Sequence, residues 1–311
     1  MLFVVGGLTL FLFGLNLMRD SLIKLNNEKL RRLLNRATGS KIRALLTGIL
    51  ATTLIQSSSG VTAIVVALIC ANLLSLSEGL MVMIGSNIGT TTTAFVFTLQ
   101  IERYSLIFII AGYILLLFKN RKLSNVGSII IGFGLIFLGI DIMNQGLNFI
   151  SDSTYFLNIM LILSDNPINS FIGGTIISAL IQSSSVTIGF AQNLYAIGSI
   201  PLKAAISIML GANIGTTIAS LIVAVSSTKE AKAALYVNII FNLVGGIVFL
   251  ALLDPFAGLF RYLERITLNK KLTVAYSHLF FNVLSTVIFY FIFDAVVNLT
   301  QRKLELEAKI N

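Results

Sequence analysis

Long apolar runs separated by short polar stretches dominate this chain. Several of them approach the roughly 20 residues that an α-helix needs to cross the hydrocarbon of a bilayer. The runs that resemble ordinary spans are 2–18, 79–99, 104–118, 126–149, 203–225, 233–253 and 274–297. Two further apolar runs, 44–76 and 168–198, are each broken near the middle by polar residues. The pattern predicts an all-α integral membrane protein in which two segments differ from simple spans.

The two breaks carry the same four residues. A Gln-Ser-Ser-Ser string occupies positions 56–59 and returns 126 positions later at 182–185. Each broken run is about as long as two half-helices that meet at a polar tip, so we expect two re-entrant helical hairpins. Polar groups at membrane depth persist where protein, water or a bound solute satisfies them. We therefore expect both strings to line one polar site.

The serine strings belong to a longer internal repeat. At the same shift of 126, residues 85–91 (GSNIGTT) match residues 211–217 (GANIGTT). At a shift of 125, residues 13–18 (FGLNLM) resemble residues 138–143 (LGIDIM). Because the three elements keep the same order, the sequence predicts two repeats, 1–125 and 126–253. Residues 254–311 then supply a loop, a further C-terminal span and a charged tail.

Charge distribution gives these repeats an orientation. Hydrophobic residues make up 56% of the chain and charged residues 11%, whereas a soluble domain carries about a quarter charged residues. The net charge of +9 is densest in the stretch 19–43 and recurs in 119–122, which favours two cytoplasmic loops rather than a nucleic-acid partner. We expect a multi-pass protein of the cell membrane, with the lipid bilayer as its partner. Its N-terminus would lie outside, its C-terminal tail in the cytoplasm and its basic loop 254–273 outside.

This orientation makes the repeats inverted. The span 2–18 runs from outside to inside, whereas its counterpart, 126–149, starts after a cytoplasmic loop and runs outward. Inverted repeats with interrupted helices indicate a secondary transporter whose site lies near mid-membrane.

Hydrogen-bond donors at the hairpin tips favour an anion. The helix after each break should begin near Ser58 or Ser184, and its first backbone N–H groups would point into the site with partial positive charge. Together with hydroxyl donors they form an anion site without lysine or arginine. The side chains expected to bind this anion are Gln56, Ser57, Ser58, Ser59, Ser184, Ser185, Asn87 and Asn213.

Uncharged oxygens in the same segments suit a monovalent cation. Glutamine carbonyls, serine and threonine hydroxyls and freed backbone carbonyls are ligands that discontinuous helices offer to sodium. The hydroxyls expected to take part belong to Thr90, Thr91, Thr216 and Thr217. Small and polar residues also pack membrane helices together, but that role does not require the same tetrapeptide twice.

With these motifs the chain resembles the type II sodium–phosphate cotransporter family. The resemblance rests on both serine strings, both Gly-x-Asn-Ile-Gly-Thr strings and the opening residues 11–18 (FLFGLNLM). It implies sodium-driven uptake of inorganic phosphate and a sodium site that includes Gln182, Ser183 and Thr216. It implies no catalytic residue and no cofactor other than sodium as the coupling ion. The PhoU-like domain that some bacterial relatives append is not expected here, and a homodimer is possible.

Two titratable residues within apolar spans have open roles. His278 lies in a sequence (AYSHLFFN, 275–282) that fits the family, and it suits either packing with a hydrogen bond or a gating, proton-sensing role. The related stretch 235–242 has Asn238 at the equivalent position. Asp141 suits a cation ligand or a polar contact between helix turns.

Two other functions remain open from the residues. A sodium-coupled transporter of another oxyanion, such as arsenate or sulfate, would need nearly the same donors. An intramembrane serine hydrolase would use a string serine with His278 as base, although one histidine cannot serve two identical strings. A lone histidine and a lone cysteine, Cys70, exclude a multi-histidine metal site and an internal disulfide.

Overall fold

The described part of the protein is helical throughout. A computed structural model describes residues 2–35, 39–99, 102–118, 120–150, 154–219 and 227–310. Its α-helices are α1 (Leu2–Asn35), α2 (Lys41–Ile55), α3 (Ser58–Cys70), α4 (Leu76–Val96), α5 (Ser105–Leu116), α6 (Arg121–Ile150), α7 (Thr154–Asp165), α8 (Pro167–Ile181), α9 (Ser184–Ala196), α10 (Leu202–Ala219), α11 (Lys229–Ala251), α12 (Leu253–Thr267) and α13 (Lys270–Ile310). A 3₁₀ turn, Glu102–Tyr104, precedes α5.

Four of the described helices are long and apolar enough to cross a membrane. These segments are Leu2–Leu22, Arg121–Met143, Lys229–Ala251 and Lys270–Leu306. Their lengths agree with a hydrocarbon core that needs about 20 helical residues. The shorter apolar helices include the second half of the first broken run, α3, and the first half of the second broken run, α8. The expectation of an all-α protein with membrane-spanning segments is therefore confirmed at this level.

Local polar residues start several helices. The Ser40 hydroxyl accepts a hydrogen bond from the Arg43 N–H at the start of α2. At the start of α4, Ser75 and Glu78 form a reciprocal capping box. Asn166 caps α8, which continues with a proline at its first position. Such caps satisfy backbone donors that the first helical turn leaves unpaired.

Glycines set the packing of α1 against α6. A Cβ atom added at Gly7 would lie 2.6 Å from the Gly139 carbonyl oxygen, and one added at Gly14 would lie 2.6 Å from that of Gly132. Gly7 contacts the later residue of α6 and Gly14 contacts the earlier one, so the two helices run antiparallel. Only glycine permits backbones this close.

The structure corrects several predicted boundaries. The predicted loop 254–273 is mostly helix α12, whose buried residues Leu253, Phe256, Ala257 and Phe260 follow an i, i+3, i+4, i+7 pattern. The basic stretch 19–43 is helical as far as Asn35, since lysine, arginine and leucine are good helix formers. The predicted run 203–225 is helical as far as Ala219, and its remaining part, 220–225, lies outside the described residues, so its predicted end is not tested.

Candidate functional site

The two broken runs have the same backbone at their breaks. Gln56 ends α2 with φ 58° and ψ 32°, and Gln182 ends α8 with φ 58° and ψ 30°. Both lie in the left-handed region, which costs a residue with a Cβ about 1–2 kcal/mol. Non-glycine residues held there cluster at functional sites. The shared conformation means that both glutamines turn the chain in the same way.

Serine caps the helix that follows each break. Ser57 and Ser183 are extended, and their hydroxyls accept hydrogen bonds from the backbone N–H groups of Gly60 (3.1 Å) and Val186 (3.4 Å). The next helices begin at Ser58 and Ser184, as predicted. Two helix N-termini, each carrying partial positive charge, therefore lie at the breaks.

The two serine strings lie together in the fold. One polar cavity is lined by residues 56–59 and 182–185 with Leu15 and Thr216. A second cavity shares Ser58, Ser59, Ser184 and Thr216 with the first. Its other lining residues are Thr62, Asn87, Thr90, Asn213, Thr217 and Asn238. The lining of both cavities contains no charged side chain.

Most of the residues predicted for the site line these cavities. Thr91 does not, since its hydroxyl is buried and donates to the Ile88 carbonyl within α4. Thr62 and Asn238 line the second cavity but were not predicted as site residues. Thr62 follows Ser58 by four residues, so helical periodicity could have placed it on the same face. Asn238 was conspicuous only as the residue that replaces a histidine.

Glycines in the repeated motif position its asparagines. A Cβ atom at Gly85 would lie 2.1 Å from the Leu45 carbonyl oxygen on α2, and one at Gly211 would lie 2.0 Å from that of Phe171 on α8. Gly85 and Gly89 form the face of α4 that packs on α2. Gly211 and Gly215 form the corresponding face of α10 that packs on α8. The asparagine two residues after each first glycine lies on a different face, toward the cavity. The motif therefore encodes a packing face and a binding face on one helix.

Two residues that line the second cavity have unpaired donors. The side-chain amide nitrogens of Asn87 and Asn213 are buried and have no hydrogen-bond partner among the described residues. A buried polar group without a partner is costly, and such groups in native proteins require an explanation. Two matched N–H₂ groups, beside hydroxyls and helix N-termini, suit a ligand that presents several acceptor oxygens.

The threonines that line the second cavity offer hydrogen-bond acceptors rather than donors. Thr90 donates its hydroxyl proton to the Ser86 carbonyl (2.9 Å) and Thr217 donates to the Asn213 carbonyl (2.7 Å). With the proton committed, only oxygen lone pairs remain for a ligand. Lone pairs without negative charge suit a monovalent cation better than an anion.

The two glutamines differ in their side-chain bonds. The Gln56 Oε1 accepts from the Thr93 hydroxyl at 2.6 Å, and its Nε2 donates to the Thr53 carbonyl at 2.7 Å. The position equivalent to Thr93 is Ala219, which has no hydroxyl to donate. Among the described residues, the Gln182 side chain has no matching bond. Within the part of the chain that the structure describes, only the second repeat therefore presents a glutamine carbonyl that is not held by a neighbouring helix.

The two open titratable residues lie in different surroundings. Asp141 is half-buried on α6 and accepts a hydrogen bond from Gln145, one helical turn later, at 3.0 Å. This geometry favours the polar helix contact, and the described residues contain no group of three metal-ligating His, Cys, Asp or Glu side chains. His278 is fully buried on α13, with its Nε2 3.3 Å from the Asn213 Oδ1. Among the hydrogen bonds of the described residues, none joins its ring to a serine of either string, as a hydrolase dyad would need.

Comparison with known proteins identifies relatives over most of the chain. The family model described as Na+/Pi-cotransporter matches residues 10–145 and 149–254. The uncharacterized protein YqeW of Bacillus subtilis is 28% identical over 279 residues, which cover 90% of each chain. No solved structure matches the chain.

Two other relatives carry descriptions that mention phosphate. The putative inorganic phosphate export protein YjbB of Salmonella typhimurium is 25% identical over 284 residues, covering 91% of this chain and 52% of that protein. Human sodium-dependent phosphate transport protein 2B is 32% identical over 111 residues, covering 34% of this chain and 16% of that protein. The chain thus spans about half the length of YjbB. The family match contains both serine strings and ends before His278.

Proposed function

The chain belongs to the Na+/Pi-cotransporter family, and on that premise we propose that it couples sodium influx to the uptake of inorganic phosphate. The single observation that carries the proposal is a pair of adjoining polar cavities that share Ser58, Ser59, Ser184 and Thr216. The first is lined by both serine strings at two helix N-termini, and the lining of the second includes Asn87 and Asn213 with their unpaired amides.

Phosphate fits the donors of these cavities. A tetrahedral oxyanion presents acceptor oxygens in every direction, and donors approach these cavities from both repeats. Hydrogen bonds to a charged group contribute about 1.5–3 kcal/mol each, so a few of them suffice for micromolar binding without lysine or arginine. The absence of a fixed positive charge in the lining also lets the anion leave again.

Sodium fits the acceptor side of the same cavities in the second repeat. Gln182, Ser183 and Thr216 lie at the first cavity, and the Gln182 carbonyl is not held as that of Gln56 is. We assign the coupling cation to this group. A bound cation beside the phosphate offsets part of its charge, so each ion strengthens the binding of the other.

The membrane arrangement that we propose has two inverted repeats, 1–125 and 126–253, with α2–α3 and α8–α9 as re-entrant hairpins. It is supported by the antiparallel packing of α1 on α6, because these helices are repeat counterparts. The N-terminus lies outside and the C-terminal tail in the cytoplasm. Re-entrant backbone is tolerated at membrane depth where it lines a polar cavity.

Each net charge that crosses 100 mV supplies ~2.3 kcal/mol, which supports roughly fiftyfold accumulation of phosphate. Net export is the second candidate, and it is favoured by the description of YjbB as a putative phosphate exporter. A symporter runs in whichever direction the summed gradients of sodium, phosphate and voltage point.

Reconstituted liposomes test the proposal. Labelled phosphate should enter vesicles under an inward sodium gradient, and the rate should fall when potassium replaces sodium. Excess unlabelled phosphate should compete, with sulfate and arsenate as comparison anions. Preloaded vesicles with an outward sodium gradient then measure efflux. Equal uptake in sodium and potassium would refute the coupling, and no displacement by phosphate would refute the substrate.

A further inference from the structure

The one histidine of the chain is tied to a residue of the candidate site. His278 has no solvent exposure, and its Nε2 lies 3.3 Å from the Oδ1 of Asn213. The other ring nitrogen, Nδ1, is buried with no partner among the described residues. Asn213 lines the second cavity, where its own Nδ2 is unpaired. The histidine thus contacts the amide oxygen of a residue that lines the cavity.

Two arrangements of protons could satisfy this contact. In the first, Nε2–H donates to Oδ1, so the amide turns its N–H₂ group into the cavity. In the second, the amide is reversed, so that Nδ2–H donates to a bare Nε2 and the carbonyl oxygen enters the cavity. A neutral imidazole carries one proton, so the second arrangement also leaves an Nδ1–H buried without an acceptor. Orphaned buried N–H groups are rarer in proteins than acceptors with an unused lone pair.

We propose that His278 is a positioning residue for the oxyanion: its Nε2–H holds the Asn213 carbonyl and so fixes the amide N–H₂ as a donor toward bound phosphate. This inference rests on the proposed function, since it assigns the donor to phosphate. It gives the histidine a role through a tautomer rather than through proton release.

The two repeats differ in what holds the asparagine that lines the second cavity. Asn87 is the counterpart of Asn213 in the first repeat, and its Nδ2 is also buried and unpaired. With a single histidine in the chain, no second imidazole exists to hold Asn87. The donor of the second repeat is therefore fixed in orientation by a neighbouring helix, and it lies on the side where we place the sodium.

Nitrogen NMR tests the tautomer directly. Because the chain has one histidine, ¹⁵N-histidine labelling of protein in lipid bilayers, purified with a histidine-free tag, reports on this residue alone. We expect Nε2 to carry the proton and Nδ1 to be bare. The Nε2 signal should shift when Asn213→Ala removes its acceptor. A proton on Nδ1 would overturn the proposal.

Binding measurements test the positioning role. His278→Leu should weaken phosphate binding about tenfold, the loss expected for one hydrogen bond to a charged group. His278→Gln, whose amide nitrogen can reach the place of Nε2, should restore most of it. Ser277→Ala is the matched control, because Ser277 is equally buried on α13 and bonds only the Val274 carbonyl. Its affinity should equal that of the wild type.

Asn213→Asp separates the two roles of Asn213, accepting a hydrogen bond from His278 and donating one to phosphate. The carboxylate still accepts from Nε2–H, so the proton should stay on Nε2 while phosphate binding is lost. Unchanged affinity in His278→Leu, alongside lost affinity in Asn213→Asp, would overturn the role of the histidine and leave the phosphate site standing. Wild-type protein that binds no phosphate would instead refute the proposed function, and the ring signals would still decide the tautomer.

Discussion

Replacing Asn87 separates the loss of a donor from the addition of a charge. Asn87→Ala removes the unpaired amide of a residue that lines the second cavity. If that amide binds phosphate, the loss is one hydrogen bond to a charged group, about 1.5–3 kcal/mol, or roughly 10- to 150-fold in Kd. Asn87→Asp removes the same donor and adds a negative charge. At about 4 Å and an effective dielectric constant of ~20, the repulsion adds about 4 kcal/mol.

The assay is equilibrium binding of labelled phosphate to purified protein at neutral pH and saturating sodium. The expected order of affinity is wild type, then Asn87→Ala, then Asn87→Asp with no measurable binding. Ser86→Ala is the control, since this neighbour is buried and donates to the Met83 carbonyl within its own helix. Unchanged affinity in Asn87→Ala would refute the assignment of this amide as a donor, and tighter binding in Asn87→Asp would indicate a cation in its place.

Three further substitutions test the surroundings of the site. Thr93→Val removes the 2.6 Å bond to Gln56 and should lower the free energy of unfolding by about 1 kcal/mol in a denaturant titration, while sodium activation of transport stays as in the wild type. Gly211→Ala places a methyl group 2.0 Å from the Phe171 carbonyl oxygen and should lower the free energy of unfolding by about 1–3 kcal/mol in the same titration. Gly258→Ala is the control, because a Cβ atom there has nothing within 4 Å and should not destabilise the protein. Equal effects of the two substitutions would contradict the packing argument. Lys41→Met breaks the ion pair with Asp294 on α13, whose side chain is 71% exposed. The free energy of unfolding should change by less than about 1 kcal/mol, and added salt should remove this difference.

Some features of the fold could be predicted because they depend on local pattern. The starts of α3 and α9 follow from the string serines, which are favoured helix caps. Helix α12 was missed although its apolar residues follow the i, i+3, i+4, i+7 spacing of an amphipathic helix, because its charged residues favoured a loop. The buried face of this helix includes Phe256 and Phe260, which belong to a core cluster.

The candidate site was partly predictable for a similar reason. Repetition at a fixed shift suggested that the two strings lie together, and the structure has both at one cavity. Repetition alone could not distinguish Thr90, which lines a cavity, from Thr91, which bonds the backbone of its own helix. The contact of His278 with Asn213 joins residues 65 positions apart and has no counterpart in the repeat, so no local signal announces it.

The paired glycines of α1 and α6 have a consequence for how such a chain can arise. Gly7 contacts Gly139, and Gly14 contacts Gly132. At the repeat shift of 125, Gly7 corresponds to Gly132 and Gly14 corresponds to Gly139. A contact of this form is isologous, as between the subunits of a two-fold homodimer. Two copies of an ancestral half-length protein, inserted in opposite directions, could have formed it before a gene fusion joined them. A first half expressed alone would then present a surface complementary to itself.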